Sequence, residues 1–146
     1  MSWRSSTPTS SSTHSKDAEH HAASRALLDQ AADAAAGFCL LPQNIIEFYS
    51  AVTNRRRVSD PKSSPEALQA ITDFLALPGI RVLPVPIDVV ARFLTLVPRR
   101  PVIGAKIHDL HIVAAMLGNG VSRIYTFNTD DFTPFNELTV LTPGLV

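Results

Sequence analysis

The sequence predicts an α/β fold, a parallel sheet covered by helices on both faces. Two observations carry this reading. Short apolar runs alternate along the chain with amphipathic stretches, the pattern of strands joined by crossover helices. The 146 residues, with no internal repeat, suffice for one sizeable core and not for two.

Composition narrows the class further. Lys plus Arg and Asp plus Glu both number 13 and 45% of residues are apolar, which excludes an acidic disordered tail and a polybasic nucleic-acid arm. A single cysteine, Cys39, rules out an intrachain disulfide and fits a reducing cytoplasm. The longest apolar candidate, Val89 to Val97, is interrupted by Arg92 and falls short of the ~20 residues a membrane span requires.

The first 15 residues contain ten Ser or Thr, and no Leu, Ile, Val or Phe precedes Leu27, so residues 1–16 are expected to form a disordered lead-in. They lack the apolar run of a signal peptide. From Asp17 to Ala36 the chain is Ala-rich and free of Pro and Gly, which predicts a helix closed by Gly37. Phe38 to Leu41 reads as a short buried strand. Pro42 ends it, Asn44 offers a cap, and a helix is expected from near Ile45, with Ile46, Tyr49 and Val52 on its apolar face and Arg55, Arg56 and Arg57 at its end.

Ser64, Pro65 and Glu66 form a helix start of cap, proline and first-turn carboxylate. Ala67, Leu68, Ile71, Phe74 and Leu75 trace its inner face until Pro78 and Gly79 stop it. Ile80 to Val85 supplies a second strand. In the following helix Asp88 occupies the first turn, and Val89, Val90, Phe93, Leu94 and Val97 form the predicted stripe. A basic loop, Arg99 to Lys106, leads to a helix from Ile107 to Leu117 that ends at Gly118-Asn119-Gly120. Strand signals return at Val121 to Phe127 and at Leu138 to Leu141.

In an open parallel sheet all strand C-termini lie at one edge, where ligands bind. Glu47 follows the strand ending near Leu41; Asn128, Asp130 and Asp131 follow the strand ending near Phe127. Asp109 begins the helix between, and reaches the same edge if the basic loop delivers the chain there. Carboxylates gathered from distant segments repel one another unless a cation holds them, and oxygen donors suit Mg²⁺ or Mn²⁺. Such an ion supplies an activated water and neutralises charge on phosphate oxygens. Each acid also has a plainer use, at a helix N-terminus or as a turn cap. Glu47 stands out because it lies between Ile46 and Phe48 on an apolar turn, where an unpaired carboxylate is costly. Asp109, between His108 and Leu110, is similar.

Four segments together resemble a PIN domain of the VapC toxin type. PQNIIEFYSAV, from Pro42 to Val52, is similar to the segment carrying that family's second acid, here Glu47. IHDLHIVAAMLGNG, from Ile107 to Gly120, resembles the segment of the third, here Asp109. IYTFNTDDFTPF, from Ile124 to Phe135, resembles the closing motif, and LTVLTP, from Leu138 to Pro143, the last strand. The likeness runs from about Asp17 to the C-terminus, and four motifs in order are far more specific than one.

The resemblance implies a PIN-like three-layer α/β/α sandwich and a metal-dependent endoribonuclease, the toxin of a toxin–antitoxin pair, often dimeric. Glu47, Asp109 and Asp131 would be catalytic metal ligands, with Asn128 a supporting ligand. Thr126 would stand behind them, and Asp130 competes with Asp131, which is preferred because it precedes Phe132. RNA substrate, a cognate antitoxin and a possible second copy are the implied partners. Family members normally begin with a buried strand ending in Asp. Here a Ser/Thr-rich stretch stands in that place, and Asp17 follows no apolar strand, so the sheet is expected to lack its usual central strand and the site its first acid.

Arg99, Arg100 and Lys106 are candidates for holding RNA phosphate, against a plainer role as solvated loop charge. His108, His111 and Cys39 are assigned to structure, and Phe127 and Phe132 to packing beneath the last loop. The competing functions are a ribonuclease, an inactive domain that binds an antitoxin without cleaving RNA, and a phosphate-binding α/β domain. The last is disfavoured because no glycine-rich loop follows a predicted strand.

Overall fold

The computed structural model describes residues 13–144, in the order α1 (Thr13–Gln30), β1 (Phe38–Leu40), α2 (Pro42–Val52), α3 (Ser64–Leu75), β2 (Ile80–Val82), α4 (Val89–Arg99), α5 (Ile107–Gly118), β3 (Arg123–Tyr125) and β4 (Thr139–Leu141). The alternation of helix and strand makes an α/β fold. Most of the lead-in, residues 1–12, lies outside the described residues; α1 begins at Thr13, four residues before the expected start.

Local chemistry sets most boundaries. The first helix stops at Gln30, and a separate 3-10 turn over Ala34–Ala36 follows, where Asp33 Oδ1 accepts the Ala35 N–H at 2.9 Å. Gly37 closes that turn at φ 61°, a left-handed backbone that favours glycine. Helix α2 starts at Pro42, not near Ile45, because proline is already shaped for the first helical position. Asn44 then works backwards, its Oδ1 accepting the Leu41 N–H at 2.9 Å. In α3 the cap is Ser63, one residue earlier than expected, and Glu66 Oε2 accepts both its N–H and its hydroxyl at 2.7 Å.

Every pairing is parallel, but among the described residues the strands form two separate pairs. β1 pairs with β2 in the register Phe38 to Ile80, and β3 with β4 in the register Arg123 to Thr139. The strands are shorter than the apolar runs suggested, three residues each. Gly79 lets β2 approach the turn after α1: its N–H donates to Ala31 O at 2.8 Å, and a Cβ there would meet that oxygen at 2.6 Å.

The core centres on α5. Residues 112–116 are all buried, together with Leu110 on the preceding turn, so this helix is surrounded by protein rather than resting one stripe on it. Val89 and Leu96 of α4, Leu41, Ile124, Phe132 and Phe135 close around it. The α4 face differs from the predicted stripe: Val90 and Leu94 are 65% and 61% exposed, while Leu96 is buried. Ile46 and Leu68 likewise point outward.

Candidate active site

The start of α5 carries Asp109 and the groups to which Glu47 and Asp131 are linked. A 3-10 turn, Gly104–Lys106, feeds the helix directly, so Asp109 falls in its first turn, and the close packing of α5 leaves that side chain only 3% exposed.

Glu47 reaches this turn through Gln43, one helical turn earlier on α2. Gln43 Nε2 donates to Glu47 Oε1 at 2.9 Å and to the His108 carbonyl at 3.4 Å, while Gln43 Oε1 accepts from His111 Nδ1 at 2.6 Å. One amide therefore fastens the acid of α2 to the backbone and a side chain of α5. Sequence reasoning missed Gln43; its place four residues before Glu47 was the available signal.

Asp131 reaches the same turn from the other side. Its Oδ1 pairs with Lys106 Nζ at 3.1 Å, and Asn128 Nδ2 donates to its Oδ2. The loop carrying Asp131 is pinned by Phe132 and Phe135, both in the core, and by Thr126, whose buried hydroxyl accepts the Asn128 N–H at 3.0 Å. Asp130, one residue away, is exposed, so the packing of Phe132 separates the two neighbouring carboxylates.

The cations differ in their engagement. Arg99 pairs with Glu137 at 2.7 Å, Lys106 with Asp131, and Arg100 is exposed at the end of α4. The Arg99 hydrogen bond holds the Glu137 carboxyl below its ordinary value. His108 is exposed and His111 half-buried. Arg55, Arg56 and Arg57 lie in exposed turns beyond α2.

Carboxylate and amide oxygens are the hard donors a divalent ion prefers. Among the described residues, however, no group of three His, Cys, Asp or Glu side chains stands close enough to hold a metal. The expected closure of Glu47, Asp109 and Asp131 on one ion is not made in this geometry. Gln43 hydrogen-bonds Glu47, while Lys106 balances the charge of Asp131 and Asn128 hydrogen-bonds it.

A family model, PIN domain, matches residues 11–138. The chain belongs to the PIN domain family. PIN domains are generally nucleases and typically use divalent metal ions, and the match spans every element from α1 to the loop before β4. No curated protein matches the chain. In this PIN domain the acids expected from the family resemblance occupy α2, the first turn of α5 and the loop after β3.

Proposed function

We propose that this PIN domain is an endoribonuclease of the toxin type, cutting RNA phosphodiesters and restrained by a cognate antitoxin. The observation that supports this reading is the double attachment at the start of α5. Buried Asp109 shares its turn with the points where Gln43 brings Glu47 and Lys106 brings Asp131. Glu47, Asp109 and Asp131 are the catalytic acids in this proposal, with Asn128, Thr126 and Asp130 shaping the Asp131 loop. Arg99, Arg100 and Lys106 supply positive charge for the RNA backbone beside them. Mg²⁺ or Mn²⁺ is the cofactor proposed, a second copy of the chain a proposed partner, and the cytoplasm the proposed location. No helix among the described residues is long and apolar enough to cross a membrane.

A second reading has its own support. Asp131 is paired with Lys106 and hydrogen-bonded by Asn128, and Glu47 is hydrogen-bonded by Gln43, instead of the acids forming a three-carboxylate cluster, as suits an inactive domain that binds a protein partner. One experiment separates the two. The chain and its Asp109→Asn variant are incubated with structured RNA plus Mg²⁺ or Mn²⁺. Cleavage by wild type, abolished by EDTA and by Asp109→Asn, supports the ribonuclease. Equal, background-level cleavage by both rejects it, and retention of a small co-encoded protein on the purified chain then favours the binding domain.

A further inference from the structure

Gln43 uses both ends of its amide between α2 and α5, and the direction of each bond follows from the partners. Its Nε2 lies 2.9 Å from Glu47 Oε1 and 3.4 Å from the His108 carbonyl oxygen, and a carboxylate and a carbonyl only accept. Turning the amide over would set its oxygen against both of them, acceptor against acceptor. The nitrogen therefore faces Glu47, which leaves Gln43 Oε1 for His111 Nδ1 at 2.6 Å. An amide oxygen cannot donate, so His111 donates from Nδ1. In the neutral ring the other nitrogen, Nε2, is then the bare acceptor.

Both outer ends of this chain of bonds are open. Among the described residues nothing donates to Glu47 Oε2 or to His111 Nε2. Neither atom is a buried polar atom without a partner, and both side chains are half-buried, so each acceptor reaches solvent. Gln43 thus takes up one oxygen of Glu47 and one nitrogen of His111 and leaves the second acceptor of each free for a ligand. Glu47 and His111 stand on different helices, and the amide orders them before any ligand arrives, which is how binding sites avoid the cost of ordering side chains later.

We propose that Gln43 is a positioning residue: it sets His111 in the Nδ1–H form and presents His111 Nε2 and Glu47 Oε2 as a pair of open acceptors beside the first turn of α5. What the pair acts on rests on the ribonuclease reading; the form of the ring does not.

The ring is read from the ¹⁵N chemical shifts of the histidines in the full chain at pH 9, where imidazole is neutral, with His111 assigned by the signals lost in His111→Asn. The Nδ1–H form is expected in the wild type, a result that needs no altered Gln43. Gln43→Met removes the acceptor and is expected to return His111 to a mixture of both forms. Gln43→Glu keeps an acceptor for Nδ1 and loses the donor to Glu47, so the Nδ1–H form is expected to persist. In cleavage of structured RNA both Gln43 variants are expected to lose about tenfold or more in kcat with KM within about twofold, the mark of a group that acts on the reaction rather than on binding. An Nε2–H ring in the wild type, a ring unchanged by Gln43→Met, or wild-type kcat in Gln43→Glu would each overturn the proposal. If the wild type cleaves no RNA, the ribonuclease reading falls, and the ring spectra alone then decide the role of Gln43.

Discussion

Lys106 pairs with Asp131 at 3.1 Å, across the gap between the residue before α5 and the loop after β3. The lysine is 65% exposed and the aspartate 13%, so the pair sits at the edge of the core with its acid inside and its base in water.

Replacing that lysine tests whether it guards the acids. Lys106→Met removes the cation that neutralises Asp131, and Mn²⁺ binding followed by electron paramagnetic resonance is expected to tighten. Because the cation is largely solvated, the stability change is expected to stay within about 1 kcal/mol in urea unfolding. Weaker Mn²⁺ binding in the variant would show that Lys106 supports the site instead of blocking it.

Gln43 is predicted to be the structural link between α2 and α5. Gln43→Met keeps the length of the side chain but loses bonds to Glu47, the His108 carbonyl and His111, and is expected to cost about 1–3 kcal/mol. Urea unfolding measures this, and an unchanged midpoint would mean the bridge contributes nothing net.

The inward face of α4 gives a paired prediction. Leu96 is 3% exposed and Leu94 61% exposed, two residues apart. Leu96→Ala is expected to cost about 2–5 kcal/mol, and Leu94→Ala to stay within about 0.5 kcal/mol. Equal losses would place both leucines in the core.

The start of α3 carries a pH dependence. Hydrogen bonds from the Ser63 hydroxyl and then the Ser63 N–H lower the Glu66 carboxyl below its ordinary value. A lowered acid contributes in full above its unfolded value and loses that contribution as pH falls through the folded one. Glu66→Gln should therefore unfold at lower urea than wild type at pH 7, with the difference shrinking in acid. A gap that persists at pH 2 would assign the effect to something other than the charge.

How much of this was legible in the sequence varies with the range of the interaction. Pro42 at the start of α2, Ser63 and Glu66 at α3 and Gly37 after the 3-10 turn are decided within a few residues, so element order and boundaries could be read to within a few positions. A helix at α5 was also legible, ending at Gly118-Asn119-Gly120. The face of α4 was not: Val90 and Leu94 fit a helical stripe as well as Leu96 does, and only the position of α5 chooses between them. The hydroxyl of Thr126 and the amide of Asn128 could be placed near Asp131 by proximity in sequence, but not given their partners.

The sequence by itself determined an α/β chain with its helices and parallel strands in order, and acids after β1 and β3. Tertiary structure alone decided that residues 112–116 of α5 are all buried and that Glu47 and Asp131 are linked to the start of α5 by Gln43 and Lys106. Gln43 meets His108 and His111 across 65 and 68 residues of chain. Caps and periodicity act over one or two turns, whereas contacts at that separation are set by how helices pack against a shared core.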